Sequence, residues 1–430
     1  MSVTAKPNTV KTAVVILNWN GKDFLRTFLP GLVDSVRDMD AEVIVADNAS
    51  QDGSTDWLRE EMPELKLLCF DRNYGFTGGY NRAFRELEEY DPEYFVLINS
   101  DIEVTTDWLF PLEEWMDLHE DCAACAPKLH SWQEGRRSYF EYAGAAGGWL
   151  DHYGYPFCRG RVMSRLEEDS GQYDDPADVL WATGACLMVR SSVWKKLGGL
   201  DERFFAHMEE IDFCWRARLD GWRVNVVPRS VVYHVGGGTL PQDSPFKLYL
   251  NYRNNLLMLG NNLAQTLAFN NIYDVLAGTA PEIASSSDDL KSCLDVLDEM
   301  DDAFRDKLVS ACAADACRRA KFRIFRRMVL DVMASMVYLL KGKGSYFKSV
   351  WKAHRDYREL KRSCGRDEVE ALLERDLDSG GSIAARLLDI DLNRKMGERV
   401  KVRGILDEYI ILLNCILRDG IFDYLKEKTK

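Results

Sequence analysis

Carboxylates, amides and one imidazole stand in this chain directly after apolar runs, where a folded sheet would present them together. Asp47 heads the segment Asp47-Asn48-Ala49-Ser50-Gln51-Asp52-Gly53, after the run Glu42 to Ala46. An aspartate fixed there can accept the N3–H of a uracil or thymine. It can equally cap the following turn, and Asp52-Gly53 is turn chemistry in its own right. Asn99-Ser100-Asp101 follows the run Tyr94 to Ile98, with Glu103 two residues on. A divalent cation bridging two phosphates takes hard oxygen ligands, usually only one or two of them protein carboxylates. Asp101 could supply one, with Asn99 near a ribose, although an isolated aspartate at a strand end is more commonly a cap. His234 precedes Val235-Gly236-Gly237-Gly238. That placement suits a metal ligand before a loop that closes over substrate; a lone histidine is more often structural.

Two further segments carry candidate chemistry. In Arg72-Asn73-Tyr74-Gly75-Phe76-Thr77-Gly78-Gly79-Tyr80-Asn81, small residues would let backbone N–H groups and a helix N-terminus approach a diphosphate. The same glycines could simply close a tight turn. Met208-Glu209-Glu210-Ile211-Asp212 opens a helix with three carboxylates in its first turn, which the helix dipole favours in solvent. Phe204-Phe205 just before them indicate a partly desolvated setting, where a carboxylate with a raised pKa could deprotonate an acceptor hydroxyl. Cys122 and Cys125 form a lone CxxC with no second pair or nearby histidine, and read as buried strand thiols.

The elements that must position these residues follow from the apolar pattern. Ala13 to Leu17, Glu42 to Ala46, Leu65 to Phe70 and Tyr94 to Ile98 are short uninterrupted apolar runs alternating with helical patterns. That is the signature of an α/β fold with a parallel sheet covered on both faces. Ligands of such sheets bind beyond the carboxyl ends of the strands. Each of the four runs is followed immediately by Asn, Asp, Ser or Gly, which locates the site. From about 120 to 240 the pattern is mixed, and beyond Leu240 it is helical. We expect a catalytic domain over residues 1–245, with a nucleotide-binding half at about 12–120 and an acceptor half at about 121–245. A helical region would occupy 246–430, in which the roles of 262–320 and 358–430 cannot be read.

Composition narrows the class further. Of 430 residues, 46% are hydrophobic and 29% charged, enough for a sizeable core and unlike a disordered chain. The net charge of −14 argues against general nucleic-acid binding. The odd, scattered set of 11 cysteines, with no secretory h-region before the first strand, leads us to expect reduced thiols in the cytoplasm. No apolar run reaches the ~18 residues that a spanning helix requires.

Together these segments resemble the family 2 glycosyltransferases of GT-A fold, in particular bacterial rhamnosyltransferase-like members. The stretches that carry the resemblance are Val14 to Gly21, Val43 to Ser54, Asn73 to Asn81, Asn99 to Asp101 and Trp181 to Met188. It continues through Gly198 to Phe205, Glu209 to Arg216 and Tyr233 to Thr239, all in order. The resemblance implies a Rossmann-like mixed, mostly parallel sheet and an inverting transfer of a sugar, from dTDP-rhamnose or a UDP-sugar, to a glycan or lipid-linked acceptor. It implies a nucleotide pocket formed by Asn18, Asp47, Asn48, Asn73, Gly78, Asn81, Asn99 and Ser100, and Mn2+ or Mg2+ held by Asp101 and His234. Glu210 falls where the family's general base lies, flanked by Glu209 and Asp212, with Trp181 and Gly184 on the acceptor side. Asn99 departs from the family's Asp-x-Asp, and Glu210 stands where the family has Asp. A non-catalytic relative serving as a scaffold in a glycan-assembly complex would keep the sheet without needing Glu210. The stretch Arg323 to Lys343, apolar between basic ends, suits a helix lying at the inner membrane surface or one packed on the catalytic domain. A homodimer is a further expectation for the helical region.

Overall fold

The computed structural model describes residues 10–142, 144–151, 153–162, 165–236, 244–279, 301–362 and 365–378. Its first strand, β1 (Thr12–Asn18), is buried along nearly its whole length, as a continuous apolar run sandwiched between helices should be. Helix α1 (Lys22–Ser35) leads to β2 (Ala41–Asp47), α2 (Ser54–Glu61) to β3 (Lys66–Cys69), and α3 (Gly75–Glu86) to β4 (Tyr94–Ile98). These four strands are parallel in the order β3-β2-β1-β4. The register sets Asn18 beside Asp47 and Ile16 beside Ile98. Parallel strands joined by helices all end on one edge, so the polar residues that follow them meet there.

The chain then runs through β5 (Ile102–Val104), α4 (Phe110–Leu118) and β6 (Cys122–Ser131). A separate four-stranded sheet follows: β7 (Gly148–Leu150), β8 (Pro156–Cys158), β9 (Arg161–Val162) and β10 (Arg165–Leu166). After β11 (Ala177–Asp178), strand β12 (Cys186–Arg190) inserts antiparallel between β4 and β6. Helices α5 (Ser191–Leu197) and α6 (Glu209–Leu219) precede β13 (Arg223–His234), which pairs in parallel with β6 and antiparallel with β5 and β11. The sheet is therefore parallel in its first half and mixed in its second. Cys122 and Cys125 are buried in β6, where desolvation raises both thiol pKa values.

From Pro245 the described elements are helices: α7 (Pro245–Thr279), α8 (Asp302–Leu340), α9 (Gly344–Leu360) and α10 (Arg366–Asp378). One buried apolar cluster joins Val15 and Leu97 of the sheet to Phe213 of α6, Leu256 and Leu267 of α7 and Ala313 of α8. Polar links reinforce it, such as the Trp215 indole donating to Thr266 at 2.8 Å. Among the described residues no helix is long and apolar enough to cross a membrane. The stretch 323–340 turns one side inward, where the buried Arg327 bonds Asp331 at 2.8 Å and the Asn255 oxygen at 2.5 Å. Its other side is apolar and exposed.

Candidate active site

Asp47 is buried at the end of β2 and does two things at once. Oδ1 accepts the Ser50 N–H at 2.8 Å, which is the turn cap, and Oδ2 accepts the Asn18 amide at 2.9 Å. The other atom of that amide, Asn18 Oδ1, is buried with no protein partner. Buried polar atoms are normally paired, so an orphan at a strand end is a place for a ligand donor. Asn48 and Asn73 form a bracket: the Asn48 amide donates to Asn73 Oδ1 and the Gly75 carbonyl, both at 3.0 Å, and its oxygen accepts Tyr74 N–H at 2.9 Å. Ser100 lies beside Gly21, where a Cβ would sit 3.2 Å from the hydroxyl.

Asp101 and His234 are 133 residues apart in sequence and in direct contact. Antiparallel pairing sets His234 opposite Ile102, so the residue before Ile102 faces the imidazole, and Nε2 lies 3.1 Å from Asp101 Oδ1. Asn99 Nδ2 is 3.5 Å from the same nitrogen. On the far side of the ring, Nδ1 is 3.4 Å from Glu141 Oε2. Burial works against a charged imidazole, but the hydrogen bonds and charges of Asp101 and Glu141 prevail and lift its pKa to about 10. Two buried carboxylates around one ring thus call for positive charge at this point. Nothing in the sequence marks Glu141, which lies in a loop outside every motif.

Helix α3 does not cradle phosphate as its glycines led us to expect. Its leading N–H groups are already taken: Tyr74 by Asn48 Oδ1, Gly75 by Asn73 Oδ1 at 2.7 Å, and Phe76 and Thr77 by the Phe205 carbonyl at 2.7 and 3.2 Å. The glycines serve close packing instead. A Cβ on Gly75 would lie 2.4 Å from Phe205, one on Gly79 2.6 Å from Leu17, and one on Gly78 3.0 Å from Tyr74. Asn81, expected in the nucleotide pocket, has both ends of its amide on the Leu200 backbone, at 2.8 and 2.9 Å. It clamps α3 to the loop before α6.

That loop is strained. Phe205, His207 and Met208 all have positive φ, at 65, 71 and 72°. Each such non-glycine residue costs about 1–2 kcal/mol. Strain of this kind persists only where the surroundings impose it, and it clusters at functional sites. Here it delivers Glu209 and Glu210 at the start of α6. Both carry a buried Oε2 without a protein partner. The Glu210 side chain as a whole is half-buried, but that oxygen is shielded. Burial lifts its pKa, backbone N–H groups pull it back, and the result is about 7. Glu209 is raised well above the ordinary range by burial and then by the Glu210 charge. Of the two, Glu210 is the less strongly raised.

Gly184 packs against Glu210, since a Cβ there would meet Glu210 at 3.3 Å and Phe76 at 3.4 Å. Asp212 faces elsewhere: Arg216 holds one of its oxygens at 2.8 Å, and Asn261 and Asn262 hold the other at 2.8 and 2.9 Å. It anchors α6 to α7. Trp181 is buried in the core with its indole N–H on the Trp149 carbonyl at 3.0 Å, so its ring packs rather than lining open space. The rest of the glycine run after His234, in residues 237–243, lies outside the described residues.

The candidate site thus comprises strand-end amides and a carboxylate, an acidic–imidazole pair and a shielded glutamate. Residues 13–198 match glycosyl transferase family 2. The low-salt glycan biosynthesis hexosyltransferase Agl10 of Haloferax volcanii is 24% identical over 259 residues, 57% of this chain and 74% of that protein. The N-acetylglucosaminyl-diphospho-decaprenol L-rhamnosyltransferase of Mycobacterium tuberculosis is 23% identical over 263 residues, 58% of this chain and 83% of that protein. The crystal structure of GalNAc-T7 with UDP, GalNAc and Mn2+ is similar at a TM-score of 0.45 and 16% identity. There the match spans 59% of this chain and 48% of that one. The chain is a glycosyltransferase similar to these hexosyl- and rhamnosyltransferases.

Proposed function

We propose that this enzyme transfers a sugar, with inversion, from dTDP-rhamnose or a UDP-sugar to a hydroxyl of a glycan or lipid-linked acceptor. Glu210 takes the proton as the acceptor oxygen attacks the anomeric carbon, the bond from that carbon to the phosphate oxygen breaks, and nucleoside diphosphate leaves. A pKa near neutrality suits a general base working at neutral pH. Asp47 and Asn18 would receive the base and ribose, with Asn48, Asn73, Asn99 and Ser100 shaping the rest of the pocket. A catalytic region over residues 1–245 and an accessory region over 246–430 are the division we propose.

The contact between Asp101 and His234 carries this reading. Asp101 Oδ1 and His234 Nε2, 3.1 Å apart, would hold one Mn2+ or Mg2+ between them, the imidazole giving up its proton as the cation supplies the positive charge there. Among the described residues no group of three His, Cys, Asp or Glu side chains is arranged as a metal cage. A site completed by donor phosphates needs none. The ion would stabilise charge developing on the leaving diphosphate. A panel of nucleotide sugars with purified enzyme, read by released nucleoside diphosphate, tests the donor. We expect a dTDP- or UDP-linked donor to exceed GDP-linked donors by about 10²-fold, the discrimination a fixed hydrogen-bond acceptor can give. Equal rates with every base would remove Asp47 from base recognition.

The exposed side of α8 supports a peripheral membrane contact that would bring the enzyme to a lipid-linked acceptor. Phe322, Phe325, Val329, Met333, Met336 and Leu340 are exposed at three- and four-residue spacings, which puts them on one helix face. Phe325 is 63% and Leu340 85% exposed. Residues 318–348 carry nine Lys or Arg and one Asp, in a chain whose net charge is −14. Two such faces from two copies would repel each other, whereas an anionic lipid surface attracts one. We expect co-sedimentation with vesicles containing phosphatidylglycerol, weak binding to phosphatidylcholine alone, and loss at ~1 M salt. Phe325→Glu with Met333→Glu should cut binding about tenfold or more without lowering the melting temperature. Undiminished binding by that double variant would exclude this face.

A further inference from the structure

The strained turn that presents Glu209 and Glu210 is held by the first helix beyond the catalytic sheet. Left-handed residues at 205, 207 and 208 turn successive carbonyls outward, and each carbonyl from Arg203 to Met208 has a partner. The Arg253 guanidinium donates to Arg203 O at 3.1 Å and Phe204 O at 2.7 Å. The Phe205 carbonyl takes the α3 N–H groups already described. Asn254 Nδ2 lies 2.9 Å from Phe204 O and 2.7 Å from both Ala206 O and His207 O. Met208 O accepts the Asp212 N–H at 3.0 Å.

The orientation of the Asn254 amide is fixed by its other end, because Oδ1 accepts Arg253 Nε at 2.8 Å. Both side chains are buried, Asn254 completely. A second tier aims the arginine: it donates to Tyr249 Oη at 3.0 Å, and Tyr249 donates to Asp356 of α9 at 2.6 Å. Neither residue was singled out in the sequence, since both follow the expected domain boundary.

We infer that Arg253 and Asn254 are positioning residues for the transfer: by gathering the carbonyls of the 203–207 segment they fix where Glu209 and Glu210 project. This rests on Glu210 as the base. Neither residue reaches the reacting atoms as the structure stands; they act through the turn. The inference makes α7 part of the catalytic apparatus.

The decisive variant is Asn254→Asp, which keeps the side chain's size and removes both N–H donors. We expect kcat to fall about 10–100-fold, the effect of a small misplacement of a catalytic group, with donor KM changed less than about threefold. Tyr249→Phe removes only the second tier and Arg253→Lys the fork, and each should lower kcat by a smaller factor at unchanged melting temperature. Should Asn254→Asp fail to fold, these two decide. Wild-type kcat per folded molecule in whichever variants fold would overturn the inference, as would losses confined to KM. Glu210→Gln is measured alongside: inactive Glu210→Gln with fully active brace variants sinks the brace alone, whereas active Glu210→Gln sinks the base beneath it.

Discussion

Glu210→Gln should lower kcat by about 10²–10⁴-fold, the usual contribution of a positioned general base. That is about 3–5 kcal/mol in the barrier. Glutamine keeps the length and hydrogen-bonding shape of the side chain and cannot take the acceptor proton. Donor binding should survive, because Glu210 neighbours Gly184 and Phe76 while the amides of Asn18 and Asn48 sit at the strand ends. The measurement is steady-state release of nucleoside diphosphate in the presence of acceptor, with donor KM followed separately. In the wild type the base must be ionised to act. Burial has raised its pKa to about 7, so kcat should fall as pH drops through that value and level off above it. Glu210→Asp keeps the charge, shortens the reach by a methylene, and should fall between wild type and Gln. Full activity in Glu210→Gln would move the base to another group, with Glu209 the first candidate.

The parallel half of the sheet was legible because its physics is local. Apolar runs such as Ala13 to Leu17 can only be buried strands, and strands joined by helices end on one edge, so Asn18, Asp47 and Asn99 had to meet. The contact of Asp101 with His234 has a different origin. It depends on β13 turning antiparallel against a three-residue strand, a register that no local pattern announces, and the family resemblance alone paired the two residues. Other assignments failed for a common reason. Asn81, Asp212 and the glycines of α3 look like site residues because small and polar side chains suit ligands, but they suit backbone clamping and close approach equally well. Only three-dimensional partners separate the two uses. Glu141, Arg253 and Asn254 were silent because their roles are set by side chains that reach other segments.

Asp101→Asn should remove the metal-dependent part of nucleotide binding and lower kcat/KM by about 10²–10⁴-fold, consistent with several kcal/mol of leaving-group stabilisation. Asparagine preserves the strand end and a hydrogen bond to His234 but withdraws the charge that pairs with a cation. In the wild type, nucleoside diphosphate with Mn2+ should raise the melting temperature more than nucleotide alone, because a ligand that binds only the folded state adds stability by mass action. Asp101→Asn should respond to nucleotide alone and show no added increment with Mn2+. His234→Ala should behave alike, since both residues would hold the same ion. Chelation with EDTA should bring wild-type activity down to the level of Asp101→Asn and leave that variant unchanged. The two effects are then one interaction seen twice, and removing both donors should cost little more than removing either. An Mn2+ increment that persists in Asp101→Asn would mean that the close approach of Asp101 and His234 is a buried ion pair holding β5 against β13. Charge on the departing diphosphate would then have to be met by cationic side chains elsewhere in the chain.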